Sequence, residues 1–197
     1  MYHRLRLLDL YISLEVQVMS RPQLSLPHTF LEYRRVKGTH LRETTDYVSD
    51  VEVVENRIVP DGAFVLENVE SARRGLFLVE MDMATERITV TGSRDRRATI
   101  RGKFEQYDRY LTSGRFARTY VSCGEFRSFT LLLVTYGSER VENIRAAAAD
   151  LPSRLHQYYR LATFDAATVD FLGAVWKSRD ASDQVAYPLV GQQKTSS

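Results

Sequence analysis

The stretch LFLVEMDM, residues 76–83, decides the fold of this chain. It is a nearly continuous apolar run, the pattern of a strand buried on both faces of a sheet. Two carboxylates interrupt it, Glu80 and Asp82, two positions apart. Side chains alternate along a strand, so both point to one face while Met81 points to the other. Carboxylates on such a strand are costly to bury unless a positive group offsets their desolvation. A divalent cation meets that need, because Mg²⁺ takes oxygen ligands and is often held by one or two carboxylates.

Upstream, residues 57–67 (RIVPDGAFVLE) read as a strand and residues 68–75 as a polar turn, so the two strands form an antiparallel hairpin. Asp61, directly after Pro60, then comes near Glu80, and three carboxylates converge. Downstream, residues 95–111 read as a helix with Ile100, Phe104, Tyr107 and Leu111 as its buried stripe, ended by Gly114. Lys103 flanks that stripe, from where its ammonium can reach back to the strand carboxylates. Arg94, Arg96, Arg97 and Arg101, in the run SRDRRATIRGK at 93–103, are the expected contacts to DNA phosphates.

Further out, residues 3–20 read as a helix whose apolar stripe is Leu5, Leu8, Ile12, Val16 and Met19, with Glu15 on its flank as a supporting site residue. A first strand is expected at 29–36 and strand character at 51–54. Residues 129–136 read as a buried strand, Ser138 as the N-cap of a helix stopped by Pro152, and 158–164 as a last strand before an apolar segment at 166–176. The order αβββαβα, with a crossover helix feeding a parallel strand, is an α/β pattern with a mixed central sheet flanked by helices. One domain is expected over 1–178, followed by a polar, flexible tail over 179–197.

Composition narrows the function. The 197 residues carry a formal net charge of +2, so overall charge neither demands nor forbids nucleic acid. A single cysteine, Cys123, rules out an internal disulfide and a cysteine-based zinc site, and suits a reducing cytoplasm. No apolar run has the length of a membrane helix. There is no phosphate-binding glycine loop. The four histidines (His3, His28, His40 and His156) form no adjacent cluster, which argues against a histidine-metal, tyrosine-nucleophile relaxase, and Tyr158 and Tyr159 read as packing aromatics.

The strings PDGAFVLE (60–67), GLFLVEMDMATE (75–86) and KFEQYDRYL (103–111) resemble the replication-relaxation family of plasmid and mobile-element proteins, matching its pattern at Asp61, Glu80, Asp82, Thr85, Glu86, Lys103 and Tyr107. LLLVTYGSERVENIR (131–145) is similar to that family's strand followed by a helix with an arginine at its start. The resemblance implies a PD-(D/E)xK restriction-endonuclease-like core and metal-assisted phosphodiester hydrolysis. Asp61 and Glu80 would bind Mg²⁺ or Mn²⁺, Asp82 would be a third ligand or orient the attacking water, and Lys103 would stabilise charge developing on the phosphate.

Two departures stand out. Asp82 occupies the position where the nuclease motif has lysine, and Lys103 on the next helix could substitute, as a migrated lysine would. Family members commonly carry an N-terminal winged helix, whereas this sequence opens on the first helix of the core, so the expectation is a DNA-targeting module that is absent or supplied by another protein. Two readings follow: a metal-dependent endonuclease or nicking enzyme acting on DNA, or a catalytically silent nuclease-like subunit that binds DNA or a replication or relaxosome partner. Pairing as a homodimer suits either, and a restriction or defence role shares the chemistry.

Overall fold

The computed structural model describes residues 2–31, 34–36, 39–41, 44–51, 53, 56–90 and 98–190. Its centre is a seven-stranded mixed sheet. The strands, in spatial order, are β1 (Leu24–Leu31), β6 (Gly62–Asn68), β7 (Arg73–Met81), β8 (Phe129–Thr135), β9 (Tyr159–Thr163), β10 (Trp176–Ser178) and β11 (Ala186–Tyr187). The pairs β1·β6 and β6·β7 are antiparallel, β7·β8 and β8·β9 parallel, and β9·β10 and β10·β11 antiparallel. Two short hairpins, β2 (Arg34–Val36) with β3 (Thr39–Leu41) and β4 (Asp46–Tyr47) with β5 (Arg57–Ile58), decorate the connection between β1 and β6.

The expected hairpin is present and the expected strand at 57–67 is split. β5 ends at Ile58 and β6 begins at Gly62, because Pro60 lacks the N–H a ladder needs. Likewise the strand expected at 29–36 runs as β1 and β2, and residues 51 and 53 lie outside any strand.

Among the described residues five α-helices cover the sheet: α1 (Tyr2–Met19), α2 (Ile100–Ser113), α3 (Phe116–Thr119), α4 (Ser138–Ala147) and α5 (Phe164–Val169). Alternation on the strands divides the interior into two layers. Leu76, Leu78, Leu131 and Leu133 pack against Ile100, Phe104 and Tyr107 of α2 and Val141 and Ile144 of α4. Phe77, Val79, Met81, Leu132 and Val134 pack on the opposite face against Leu7, Leu10, Leu14 and Val18 of α1, with Phe164, Ala167 and Trp176.

Two local readings change. The buried stripe of α1 is Leu7, Leu10, Tyr11, Leu14 and Val18, whereas Leu5, Leu8, Ile12, Val16 and Met19 face outward. Both sets recur at helical spacing, and the helix settles with Tyr11 inward, its hydroxyl donating to the Phe30 and Ala63 carbonyls at 3.1 and 3.3 Å. At α4 the N-cap residue is Gly137 (φ 77°) and no side chain caps the helix, so Ser138 is its first residue rather than its cap. Gly114 ends α2 as expected, in the left-handed conformation at φ 69°.

Residues 179–190, grouped with the polar tail in the sequence, carry β11 and the fully buried Arg179. Arg145 of α4, also fully buried, donates to the carbonyls of Ser178, Asp180 and Asp183 and holds this segment down. Arg179 donates to Asp108 at 2.9 Å and to His156 Nδ1 at 3.1 Å, and its guanidinium lies 3.8 Å from the Tyr159 ring centroid. Residues 191–197 lie outside the described residues. Among the described residues no helix is long and apolar enough to cross a membrane.

Candidate active site

The candidate site forms where β6 begins and β7 ends. Gly62 pairs with Val79, so the register carried one residue further sets Asp61 across from Glu80. Only glycine fits at 62: a Cβ there would stand 2.3 Å from the Tyr11 hydroxyl oxygen and 3.1 Å from the Phe30 carbonyl. Asp61 Oδ2 accepts from the Met81 backbone N–H at 2.8 Å and lies 3.2 Å from His3 Nε2. The Asp61 carboxylate thus closes the end of the hairpin and meets the first turn of α1.

Glu80 shares the parity of Leu76 and Leu78, so its side chain enters the α2 layer, where it is 7% exposed. Lys103 and Tyr107, four residues apart on α2, reach it together. Tyr107 donates its hydroxyl to Oε1 at 2.5 Å, and Lys103 Nζ donates to Oε2 at 3.0 Å. Lys103 also donates to Glu86 Oε1 at 2.8 Å, so one ammonium bridges two carboxylates. The helix is registered for this by its N-cap, where Thr99 Oγ1 accepts from Gly102 N at 3.0 Å.

Burial pushes the Glu80 carboxyl up to about 7; Asp61 pushes the same way, against the downward pull of Lys103 and the Tyr107 hydrogen bond. For Lys103 burial works against the charge, but Glu80 and then Glu86 outweigh it and hold the ammonium well above its usual range. Tyr107 is likewise raised, first by burial and then by Glu80, so its hydroxyl stays a donor.

Asp82 has a different neighbourhood. Arg140 of α4 donates Nε to Oδ2 at 2.5 Å and Nη2 to Oδ1 at 3.1 Å. Thr135 Oγ1 adds a bond to Oδ2 at 2.7 Å, and Ala84 N one to Oδ1 at 3.0 Å. The carboxylate is 1% exposed and its charge is matched by an arginine. The expectation of three convergent carboxylates around one cation changes accordingly: Asp82 serves the protein's own guanidinium, not an open ligand position. Among the described residues no group of three or more His, Cys, Asp or Glu side chains is arranged to hold a metal ion.

Asp61 and Glu80 are the two carboxylates that would be left for a cation keeping most of its waters, since Mg²⁺ commonly takes one or two carboxylates with the rest from water and phosphate. Glu86, whose Oε1 meets Lys103, keeps its Oε2 buried without a hydrogen-bond partner.

The remaining expected site residues fall elsewhere. Glu15 is exposed on α1, the helix covering the face of the sheet opposite to Glu80. Arg101 donates Nη1 to the Ala147 carbonyl at 2.7 Å and to Asp150 at 2.5 Å, an internal brace between α2 and the end of α4. Arg94, Arg96 and Arg97 lie outside the described residues.

His3, Thr135 and Arg140 entered the site without being singled out as site residues beforehand. The sequence signal for Arg140 is its place in the first turn of a helix that follows a strand parallel to β7. For His3 there is none, since its partner is 58 positions away on another layer.

A family model described as replication-relaxation matches residues 1–124 of the chain. No curated protein matches it, and no solved structure does.

Proposed function

The chain belongs to the replication-relaxation family, and from that premise we propose that it nicks DNA by metal-assisted phosphodiester hydrolysis in the replication or relaxation of a plasmid or other mobile element. The reading takes the core as PD-(D/E)xK-like. In support, an antiparallel β1·β6·β7 meander is followed by the helix α2 and then by β8, parallel to β7. Asp61, Glu80 and a lysine contributed by α2 occupy the end of that meander.

One observation carries the proposal. Glu80 is a buried carboxylate facing a second carboxylate, and the cation that grips it among the described residues is a lysine on a helix flank. A buried acid perturbed by desolvation and by a neighbouring acid is characteristic of a site tuned for chemistry. In this reading Asp61 and Glu80 would hold Mg²⁺ or Mn²⁺. The ion would activate water and screen the phosphate charge. Lys103 supplies a positive charge where the phosphate becomes more negative, and Tyr107 fixes the rotamer of Glu80. Asp82 has no part in binding the ion.

A second reading rests on Arg140. The Asp82–Arg140 fork is the kind of internal neutralisation a silent nuclease-like scaffold would keep. Such a subunit would bind DNA or a replication or relaxosome partner without cutting. Conversion of supercoiled plasmid to open circle in Mn²⁺ separates the two. The wild type should nick, and Asp61→Ala and Glu80→Ala should lower the rate at least about a hundredfold. Equal rates in all three proteins would leave the scaffold reading.

A further inference from the structure

Asp82 departs from the nuclease motif, and the bonds around it show what it does instead. β7 ends at Met81, and Asp82 N still donates to the Val134 carbonyl at 2.8 Å. Two residues later the chain turns through Ala84, at φ 60°, a left-handed conformation that is unfavourable for alanine. Asp82 Oδ1 accepts from Ala84 N at 3.0 Å and so holds that turn closed. Arg140 grips the turn at both ends. Its Nε and Nη2 take the Asp82 carboxylate, and Nη2 also donates to the Glu86 carbonyl at 2.6 Å. The side chain of Glu86 is thereby delivered to Lys103, which it meets at 2.8 Å while Lys103 holds Glu80 at 3.0 Å.

We propose that Arg140 is a positioning residue: by clamping Asp82 and the Glu86 backbone, it folds the 82–86 turn so that Glu86 sets where the Lys103 ammonium sits. The clamp reaches Lys103 through Glu86, since Arg140 bonds the Glu86 carbonyl and Lys103 the Glu86 carboxylate. Lys103 is thus poised between two carboxylates by a device built from the strand end and the start of α4. Arginine suits this task because its planar fork takes a carboxylate with two donors and still serves a carbonyl, which an ammonium cannot do with the same fixed geometry. The catalytic importance of Lys103 rests on the nicking function proposed above; the clamp itself does not.

The test reads Lys103 directly, without DNA. Amines of the wild type, Arg140→Gln, Arg140→Lys and Glu86→Gln are acylated under native conditions, and the rate at each lysine is followed by peptide mass spectrometry. Lys177, which pairs with Glu142 at 2.6 Å, is the internal reference. Releasing Lys103 from Glu86 should raise its labelling about tenfold in both Arg140→Gln and Glu86→Gln, with Lys177 unchanged and Arg140→Lys intermediate.

A rise in Glu86→Gln with wild-type labelling in Arg140→Gln would overturn the proposal, because Glu86 would then find Lys103 unaided. Should Arg140→Gln unfold, raising Lys103 and Lys177 together, Arg140→Lys decides by the same comparison. Plasmid nicking by the same proteins provides the second arm: kcat should fall with KM for DNA unchanged. A wild type that never nicks sinks the hydrolytic function and leaves the labelling result intact, so the two failures are distinguishable.

Discussion

Arg140 places its guanidinium fork on Asp82, with Nε 2.5 Å from Oδ2, and the two partners differ in their access to water: the Asp82 side chain is 1% exposed and that of Arg140 19%. That asymmetry sets an order of stability. Removing Arg140 strands a carboxylate that cannot rehydrate, whereas removing the charge of Asp82 leaves an arginine that can turn outward. Arg140→Met should therefore cost about 3–5 kcal/mol in urea unfolding, and Asp82→Asn clearly less. The reverse order would show that the pair is not an internal charge match.

The ionisation of Glu80 gives a pH dependence with a definite sign. Burial pushes its carboxyl up to about 7 in the folded chain, from the ordinary 4.5. Its contribution to stability is therefore complete below about 4.5 and is lost as pH rises through about 7, while the carboxylate needed for cation binding appears over that same rise. Nicking should increase with pH through about 7. Tyr107→Phe removes a donor that favours the charged form, so the profile should move to higher pH. An unshifted profile in Tyr107→Phe would separate Tyr107 from the ionisation of Glu80.

α1 carries apolar residues on both its faces, and the structure states which face holds the fold. Leu10 is 1% exposed and Ile12 50%. Leu10→Ala should cost about 2–5 kcal/mol and Ile12→Ser no more than about 0.5 kcal/mol in the same unfolding experiment. Equal losses would restore the outward stripe to the core.

His156 accepts from Arg179 Nε through Nδ1 at 3.1 Å, a bond available only to the neutral ring. Burial, then the Arg179 charge, lowers its pKa from the usual 6.5. A depressed folded pKa gives stability that is present above 6.5 and lost as pH falls through the folded value. Acidification from about pH 7.5 to about pH 5.5 should lower the melting temperature of the wild type more than that of His156→Gln. Parallel curves would remove His156 from the acid response.

Much of the geometry of the candidate site is legible in the sequence. Strand alternation put Glu80 on one face of β7, hairpin register brought Asp61 opposite, and helical spacing put Lys103 and Tyr107 on the side of α2 that meets them. Those relationships are local, or join elements whose periods fix their facing sides. What stayed hidden depends on tertiary choice. Nothing in the spacing says that Asp82 turns to Arg140, 58 positions on, instead of a cation. Nor does periodicity choose between two apolar stripes on α1; the fit of Tyr11 over Gly62 does. Arg101 shows the same limit, since its basic context suggested DNA and its partner is Asp150.

The most direct measurement is anomalous scattering from crystals soaked in Mn²⁺. A single peak bonded to Asp61 and Glu80, with the Asp82–Arg140 fork undisturbed, is the result this account predicts. A peak held by Asp82, or no peak at the Asp61–Glu80 edge at Mn²⁺ concentrations that support nicking, would contradict it.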